Sequence, residues 1–332
     1  MGDEALKVKI SAMRGKLMTR NDYVNMSRLV SVDAVGSAIR SREGYGEALS
    51  GLSAAALRRT PLERRVIFSI TADYIDIYRF VTDHMTRRMM DNLFMKYEIR
   101  VIRTLLGYIF DERPTDFEPD ELSRETGRVL NLKLSLLLKA KTVPELIAAL
   151  GGTVYYSVLA QVYRENISLF ELETQLDLFY YLRLWNAVKK YPVKTEKKAL
   201  EFIIGAEIDL KNIMRAYRFK RYGTPPDKTY AHLIPAAYKT DMPELKKITD
   251  SDFELPAKNY KNVFAAGGGL ENCCRKKMSE LCGKTLSDNK ISSARVFAYL
   301  YLKELETNNL TSLIEGVRYR LAPGDILSRL TV

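Results

Sequence analysis

Apolar residues recur every three or four positions along most of this chain. One such stripe consists of Ile67, Ile70, Tyr74, Ile77 and Val81. Further stripes run through residues 169–179 and 200–217. This spacing places the apolar side chains on one face of a helix, whereas the alternation typical of a β-strand is almost absent. The pattern therefore predicts an all-α fold, with loops at 111–120, 191–193, 222–228 and 251–260.

Three of the predicted helix starts resemble one another. They begin at Ser31, Thr142 and Asp241, whose side-chain oxygens can each accept a hydrogen bond from a free backbone N–H group of the first turn. The last two are followed by a proline in the first turn and by a glutamate three positions after the cap, as in a capping box. The three caps are 111 and 99 residues apart (142 − 31 and 241 − 142). This spacing indicates an internal repeat of roughly 100 residues.

A glutamate within a helical stripe recurs at a similar interval. Glu98, Glu207 and Glu304 are 109 and 97 residues apart (207 − 98 and 304 − 207). Between these two landmarks, residues 60–63 and 168–171 have the pattern of capping boxes, and glycines 267–269 predict a turn before a helix. Together the landmarks predict three helical repeats, at 1–115, 116–222 and 223–332.

Each of these glutamates occupies a position where an apolar side chain is expected. A carboxylate facing a core is costly unless it is paired or meets water. Two explanations are open: a buried pair with Arg or Tyr inside each repeat, or a polar lining on an internal channel that receives a partner. Asn212 and Asn309 lie five residues after their glutamates, where the first repeat has Arg103. Because Asn is unfavourable inside a helix, it either has a hydrogen-bonding role or is simply exposed.

Composition and charge narrow the class of protein. The chain has 332 residues, of which 46% are hydrophobic. This composition predicts a buried hydrophobic core and argues against low-complexity disorder. No apolar stretch reaches the length of a membrane span, and the N-terminus lacks the apolar core of a signal peptide, which predicts a cytoplasmic protein. The net charge of +11 implies an acidic partner or surface. The basic residues are dispersed in pairs, so solvated helix faces, a protein or lipid surface and nucleic acid all stay open as interpretations.

The residues that usually carry catalysis or bind metals are scarce. The three cysteines, Cys273, Cys274 and Cys282, are expected to be reduced structural thiols, and the only histidines are His84 and His232. The run 283–285 (GKT) resembles the end of a phosphate-binding loop, but that loop requires a glycine where Met278 stands and a preceding strand. We therefore expect no catalytic site, no cofactor, no metal and no small-molecule substrate.

Two long segments carry a family resemblance. They are 299–330 (YLYLKELETNNLTSLIEGVRYRLAPGDILSRL) and 204–237 (IGAEIDLKNIMRAYRFKRYGTPPDKTYAHLIPAA), and the PEL helix starts at 144–146 and 243–245 accompany them. In their order and spacing, and across the whole chain, these features resemble the C subunit of the V/A-type rotary ATPases, the counterpart of the eukaryotic d subunit. The chain departs from the family at Asn308 and Thr311, where an Arg-containing stretch is frequent.

The resemblance implies a fold and a role. It implies an all-α funnel of three similar lobes about a pseudo-threefold axis, lying peripherally on the cytoplasmic face of the membrane. One end would sit on the membrane rotor ring, and the cavity would receive the central-stalk shaft, made of D-type and F-type subunits. Such a protein catalyses nothing and transmits torque between ATP hydrolysis or synthesis and proton or sodium transport. Candidates for the shaft socket are Glu98, Glu207, Glu304, Asn212, Asn309, Arg215 and Arg218.

Three other classes of function remain as alternatives. A helical-repeat scaffold of another multi-subunit complex would share the architecture but have different partners. A nucleic-acid-binding protein would show binding that falls steeply with salt, together with a continuous basic stripe that the sequence lacks. An enzyme would require a pocket with converging titratable groups.

Overall fold

Helices make up the fold of the part of the chain that the structure describes. The computed structural model describes residues 2–46, 48–50, 59–113, 131–251, 257–264, 269–288 and 292–332, and all regular structure within them is helical, which confirms the all-α prediction. The chain divides into two compact units. We call Met1–Thr86 with Lys261–Val332 the terminal unit, and Arg87–Tyr260 the central unit. The three repeat boundaries stay a prediction, and the one at 115 lies outside the described residues.

The α-helices described are numbered here in chain order. They are α1 (Gly2–Gly15), α2 (Arg20–Ser27), α3 (Val32–Arg40), α4 (Arg59–Tyr78), α5 (His84–Phe110), α6 (Leu134–Leu137), α7 (Val143–Ala149), α8 (Val154–Val162), α9 (Leu169–Lys189), α10 (Lys194–Arg221), α11 (Pro226–Ala231), α12 (Met242–Asp250), α13 (Lys261–Phe264), α14 (Leu270–Ser287), α15 (Ser293–Arg318) and α16 (Pro323–Arg329). A short 3-10 helix at Lys258–Tyr260 precedes α13.

The predicted caps begin their helices through side-chain hydrogen bonds. The oxygens of Ser31, Thr142 and Asp241 accept from the backbone N–H three positions later, at 3.2, 3.4 and 2.9 Å. These bonds satisfy donors that have no partner within the helix. The reciprocal half of the capping box is wrong at both predicted positions. Glu145 accepts from the N–H of Lys141 at 2.8 Å, not from that of Thr142, and Glu244 accepts from the N–H of Lys258, not from that of Asp241.

The other predicted helix starts have mixed outcomes. The box at 168–171 is complete, because Ser168 and Glu171 each accept the other's backbone N–H, at 3.2 and 3.0 Å. The side chain of Thr60 and glycines 267 and 268 lie outside the described residues, while Gly269 is the cap residue of α14. The loop predicted at 191–193 is confirmed between α9 and α10. The loop predicted at 222–228 is shorter, because Pro226 starts α11 at a position where its missing N–H costs no hydrogen bond.

In the terminal unit, the two ends of the chain share one core. Helix α15 packs against α4 and α14, and it also contacts α1, α2, α3 and α16. Apolar side chains from the start of the chain, among them Val35, Ile39 and Leu62, are buried with Leu310, Leu313 and Ile314 near its end. Such burial contributes about 1.5–3 kcal/mol for each large aliphatic side chain. The N-terminal helices of this unit therefore depend on residues nearly 300 positions later.

In the central unit, α5 and α10 run in the same direction, and both are antiparallel to α9. Helices α9 and α10 form a hairpin joined by the turn after Lys189, so they are antiparallel. Arg183 donates to the side chain of Asn92 at 3.1 Å, and Arg103 donates to the carbonyl of Glu173 at 2.8 Å. These contacts pair the start of α5 with the end of α9 and the end of α5 with the start of α9, which makes α5 and α9 antiparallel as well.

The three longest helices, α5, α10 and α15, end in the same way. Each is followed by a residue in the left-handed region: Glu112 (φ 51°), Gly223 (φ 65°) and Arg320 (φ 55°). In each case the next N–H returns to the carbonyl five residues earlier, at 3.0 Å, as in a Schellman motif. The left-handed residues are 111 and 97 residues apart (223 − 112 and 320 − 223). Backbone geometry therefore gives a repeat interval close to that of the caps.

A test of the close packing on α10 is the substitution Gly205→Ala. A Cβ at Gly205 would lie 2.6 Å from Cβ of Tyr238 and 2.5 Å from its Cγ, atoms that cannot move aside without the backbone. We expect the free energy of unfolding to fall by about 1–3 kcal/mol. Urea denaturation followed by the fluorescence of Trp185, the only tryptophan, reports on the same unit. The matched control is Gly107→Ala in α5, where no atom lies within 4 Å and a gain of about 0.5–1 kcal/mol is expected; equal effects would contradict the packing argument.

Candidate functional site

The glutamate of α5 is buried and bonded to residues that follow the helix. Glu98 is 4% exposed. It accepts a hydrogen bond from the backbone N–H of Asn131 at 2.7 Å and another from the hydroxyl of Tyr155. Burial raises the pKa of Glu98, and these two donors partly offset that effect. We call this arrangement the first carboxylate contact.

An aspartate in α10 makes a similar arrangement. Asp209 is completely buried and accepts from three successive backbone N–H groups, those of residues 238, 239 and 240, at 3.1, 2.8 and 3.2 Å. It also accepts from the hydroxyl of Tyr260 at 3.1 Å. Burial raises the pKa of Asp209 against the effect of these donors. This is the second carboxylate contact, and its aspartate is absent from the set predicted from the sequence.

A glutamate in α15 forms the third carboxylate contact. Glu306 is 4% exposed, accepts from the backbone N–H of Met18, and accepts from the hydroxyl of Tyr45 at 2.7 Å. The buried ammonium of Lys303 lies 2.9 Å from Glu306 and 3.8 Å from the centre of the Tyr45 ring. It also lies 3.9 Å from Asp73, whose pKa is raised by burial. The terminal unit thus holds a buried ionic cluster that joins α4 to α15.

The three carboxylate contacts follow one scheme. In each, a long helix provides a buried carboxylate, and another segment provides a tyrosine hydroxyl and at least one backbone N–H. Glu98, Asp209 and Glu306 are 111 and 97 residues apart (209 − 98 and 306 − 209), the same intervals as the left-handed residues that end these helices. With the predicted repeats, the first contact joins repeat 1 to 2, the second joins 2 to 3, and the third joins 3 back to 1.

The sequence contained a signal for this register that the glutamate spacing missed. The segments beginning at 207 and 304 read EID and ELE, so each offers a second carboxylate two residues after the first. The cap interval of 111 residues matches the pair Glu98 and Asp209, whereas Glu98 and Glu207 are 109 apart. Glu207 and Glu304 therefore lie two positions away from the residues that correspond to Glu98.

The predicted glutamates have different environments. Glu98 is described above, and Glu207 is 3% exposed, accepts from the hydroxyl of Tyr181 at 2.9 Å and lies 3.7 Å from the ammonium of Lys96. The first of the two sequence-based explanations expects a buried tyrosine within the same repeat, and Glu207 with Tyr181 fits it. The tyrosine partner of Glu98 is Tyr155, which lies in the next predicted repeat. Glu304 is only half-buried on α15.

The two predicted asparagines have a hydrogen-bonding role and are not exposed. The side-chain amide of Asn212 donates to the carbonyl of Ile234 at 2.9 Å and accepts its N–H at 2.8 Å. Asn309 does the same with Thr331, at 2.8 and 3.0 Å. Both partners lie 22 residues further along the chain. Each side-chain amide thus provides the donor and the acceptor that a neighbouring stretch of backbone would otherwise provide. Its partner is a residue in the segment that follows the long helix.

The two predicted arginines differ in exposure. Arg215 is half-buried, donates to the carboxylate of Asp177 at 2.7 Å and also donates to the carbonyl of His232 at 3.0 Å. Arg103 of α5 donates to the same carboxylate at 2.8 Å. Burial opposes ionisation of Asp177, but nearby cationic side chains hold its pKa below the usual range. Arg218, three residues after Arg215, is exposed on α10.

The cysteines belong to the residue types that often carry catalysis or bind metals. All three are buried thiols on α14, and burial raises the pKa of the Cys274 thiol to about 12. Among the residues that the structure covers, no three His, Cys, Asp or Glu side chains are grouped so as to hold a metal ion. None of the helices in the described ranges combines the length and apolar character that a membrane span requires.

Taken together, these features define an all-α protein whose long helices are tied to distant segments by buried carboxylates. The chain matches the family model described as ATP synthase (C/AC39) subunit over residues 6–329. It is 22% identical to the C subunit of the A-type ATP synthase of Methanosarcina mazei over 336 residues, 98% of this chain and 91% of the relative. The protein of the same name from Pyrococcus furiosus is 20% identical over 329 residues, 95% of this chain and 86% of the relative.

The family model covers nearly the whole chain, so the chain belongs to the ATP synthase (C/AC39) subunit family. It is therefore a subunit of a V/A-type rotary ATPase, which confirms the family resemblance drawn from the sequence.

The second carboxylate contact can be tested by the substitution Asp209→Ala. Removing the carboxylate leaves three backbone N–H groups, of which the one at residue 240 is buried, and the buried hydroxyl of Tyr260 without their acceptor. Each unpaired buried donor costs about 1–3 kcal/mol, so we expect a loss of roughly 3 kcal/mol or more. Urea denaturation followed by Trp185 fluorescence measures it. The exposed Glu165 in the same unit provides the control Glu165→Ala, with an expected change within about 0.5 kcal/mol; a similarly small change at Asp209 would contradict the assigned role.

The raised pKa of Glu98 predicts a pH dependence of stability. Because burial raises this pKa above the ordinary value of 4.5, the folded state binds more protons than the unfolded state above pH 4.5. The contribution of Glu98 is therefore fully present below pH 4.5 and is lost as pH rises through the raised pKa. Glu98→Gln cannot titrate; its amide oxygen can still accept from the N–H of Asn131, and its amide N–H can donate to the hydroxyl oxygen of Tyr155. The unfolding free energy of this variant should therefore decline less between pH 4.5 and 7 than that of the wild type. Urea denaturation at several pH values tests this, and Glu165→Gln should leave the profile unchanged.

Proposed function

We propose that this protein is a non-catalytic rotor subunit that joins the central-stalk shaft to the membrane rotor ring. In this role it transmits torque between ATP hydrolysis or synthesis and proton or sodium transport. Its partners would be the D-type and F-type shaft subunits on one side and the ring subunits on the other. It would lie peripherally, on the cytoplasmic face of the membrane, and bind no nucleic acid and no small-molecule substrate.

The observation that carries this proposal is the scheme of three carboxylate contacts. A subunit that transmits torque must not deform under it, so its predicted repeats have to be connected by contacts that do not shift. A buried carboxylate that loses its partners carries a large penalty, which makes each contact strongly resistant to separation. The two-point amide bonds of Asn212 and Asn309 add fixed connections beside the second and third contacts. Close packing in the interior contributes further rigidity.

The candidate socket residues then divide into two groups. Glu98, Glu207, Asn212 and Asn309 are buried with partners inside their own unit, so we assign them to the rigidity of the repeats. Arg215 has the same assignment through Asp177. The exposed Arg218 and the half-buried Glu304 are the candidates for direct contact with the shaft.

The alternative is a helical-repeat scaffold of another complex. It would use the same fixed connections, and it predicts different partners rather than a different fold. Family membership favours the rotary ATPase, and recovery of partner proteins separates the two hypotheses.

The socket assignment can be tested by Arg218→Glu. The tagged chain is co-expressed with the shaft subunits and ring of its own ATPase, purified, and the recovered partners are quantified by mass spectrometry. We expect reversal of the exposed charge to weaken shaft binding about tenfold, equivalent to about 1.4 kcal/mol, while ring recovery is unchanged. Lys276→Glu, an exposed reversal in α14, is the control for net charge and should bind as the wild type does.

Two outcomes would contradict these assignments separately. If Arg218→Glu and wild type recovered equal amounts of shaft subunits, Arg218 would not be a contact, although the role as a coupler would stand. If the wild-type chain recovered neither shaft nor ring, the proposed function itself would be wrong.

A further inference from the structure

The turn between α9 and α10 carries a dense group of lysines. Five of the ten residues from 189 to 198 are lysines, and we call this segment the lysine turn. It contains one acidic residue, Glu196, which is buried. At its tip, Pro192 and Val193 are exposed, and Val193 shows 51% of its surface to solvent. The turn therefore combines positive charge with an apolar tip.

Few of these charges are neutralised within the unit. Lys189 pairs with Glu201 at 3.0 Å and lies over the ring of Trp185, and Lys197 donates to a backbone carbonyl at 2.7 Å. Across the part of the chain that the structure describes, the three other lysines of the turn form no ion pair; they are the exposed Lys190, Lys194 and Lys198. These three ammonium groups are therefore available to an external anion.

Neighbouring arginines enlarge the basic surface. Because α5 runs antiparallel to α9, its first turns lie at the same end of the central unit as the lysine turn. Arg87 and Arg88 are exposed there, and Arg183 on α9 bridges to Asn92 of α5. Lys190 follows Arg183 by seven residues, which correspond to roughly 10 Å along a helix axis. Measured along the helices, these arginines therefore lie within about two turns of the lysines.

The opposite end of the central unit has a different charge balance. There, Arg164 forms an ion pair with Glu171, and Arg113 forms one with Asp111. The hydroxyl of Tyr230 donates a hydrogen bond to Asp250. Arg164 and Arg113 thus have acidic partners. Lys190, Lys194 and Lys198 of the lysine turn have none within the described ranges.

We propose that the lysine turn, with Arg87 and Arg88, binds the anionic phospholipid headgroups of a membrane surface. Clusters of four to eight basic residues gain about 1 kcal/mol per charge beside such a surface. Lysine carries a compact point charge, which suits a diffuse layer of phosphates, whereas carboxylate partners of a protein favour the planar fork of arginine. The exposed Val193 at the tip fits the boundary between headgroups and acyl chains. This inference does not rest on the proposed function, because the isolated chain should bind lipid without any other subunit.

The test is co-sedimentation of the purified chain with vesicles. The vesicles contain either phosphatidylcholine alone or an equal mixture with phosphatidylglycerol, at about 0.05 M and about 0.3 M salt. We expect binding to the anionic vesicles only, and weaker binding at the higher salt because screening shortens the range of the charges. The variant with Lys189, Lys190, Lys194 and Lys198 all changed to Gln should lose at least tenfold in affinity.

The matched control changes four exposed lysines elsewhere in the same unit to Gln: Lys139, Lys141, Lys228 and Lys247. The control variant loses as many positive charges as the lysine-turn variant. If the location of the charges matters, its affinity for the anionic vesicles should stay within about twofold of the wild-type value. The proposal is overturned if the wild-type chain does not bind the anionic vesicles. The same holds if both variants lose affinity equally, or if the lysine-turn variant binds as tightly as the wild type. It is also overturned if wild type binds soluble polyglutamate but not the vesicles, which would assign the surface to an acidic polypeptide.

Discussion

A carboxylate placed in an apolar interior must find donors, and in this protein that requirement connects segments far apart in the chain. Each long helix puts at least one acidic side chain where it cannot reach water, so the backbone N–H and tyrosine hydroxyl that satisfy it have to be held in place. The consequence is a set of fixed distances between a helix and a distant segment. Apolar burial supplies most of the stabilisation, but it does not specify direction. The carboxylates supply the register, and it recurs at the same intervals as the left-handed helix ends.

Much of the local structure was predictable because it depends on neighbouring residues. The caps at Ser31, Thr142 and Asp241 follow from side-chain oxygens that satisfy N–H groups three positions away, and the stripes follow from helical periodicity. The roles of Asp209 and Glu306 were missed because their partners are distant: Glu306 accepts from Met18, 288 residues earlier. Choosing between Glu207 and Asp209 also depends on a two-residue register, which the interval of 111 residues between the caps indicates and the left-handed helix ends reproduce. The division into terminal and central units was not predicted either, because it depends on contacts between the first and last parts of the chain.

The same chain shows two kinds of charged residue with separate consequences. Buried charges, such as Lys303 with Glu306 and Asp177 with two arginines, have internal partners and define geometry. Exposed charges without an acidic partner, such as Lys190, Lys194 and Lys198 of the lysine turn, contribute little to stability. Their electrostatic potential can attract an external partner. A net charge of +11 therefore says little by itself. Its distribution decides which surface meets an anion and which parts remain rigid.

The shared core of the terminal unit bears on how the protein is made. Residues 1–86 emerge from the ribosome before residues 261–332, which complete their core. At about 5–20 residues per second, translation of the intervening segment takes roughly 10 to 35 s. At the end of that interval the central unit has all of its own residues, whereas apolar side chains of α2, α3 and α4 such as Met26, Ile39 and Ile70 still have no α15 to cover them. Residues 1–86 of the nascent chain thus need protection from aggregation during this time, and a premature stop before α15 would leave their apolar surface permanently uncovered.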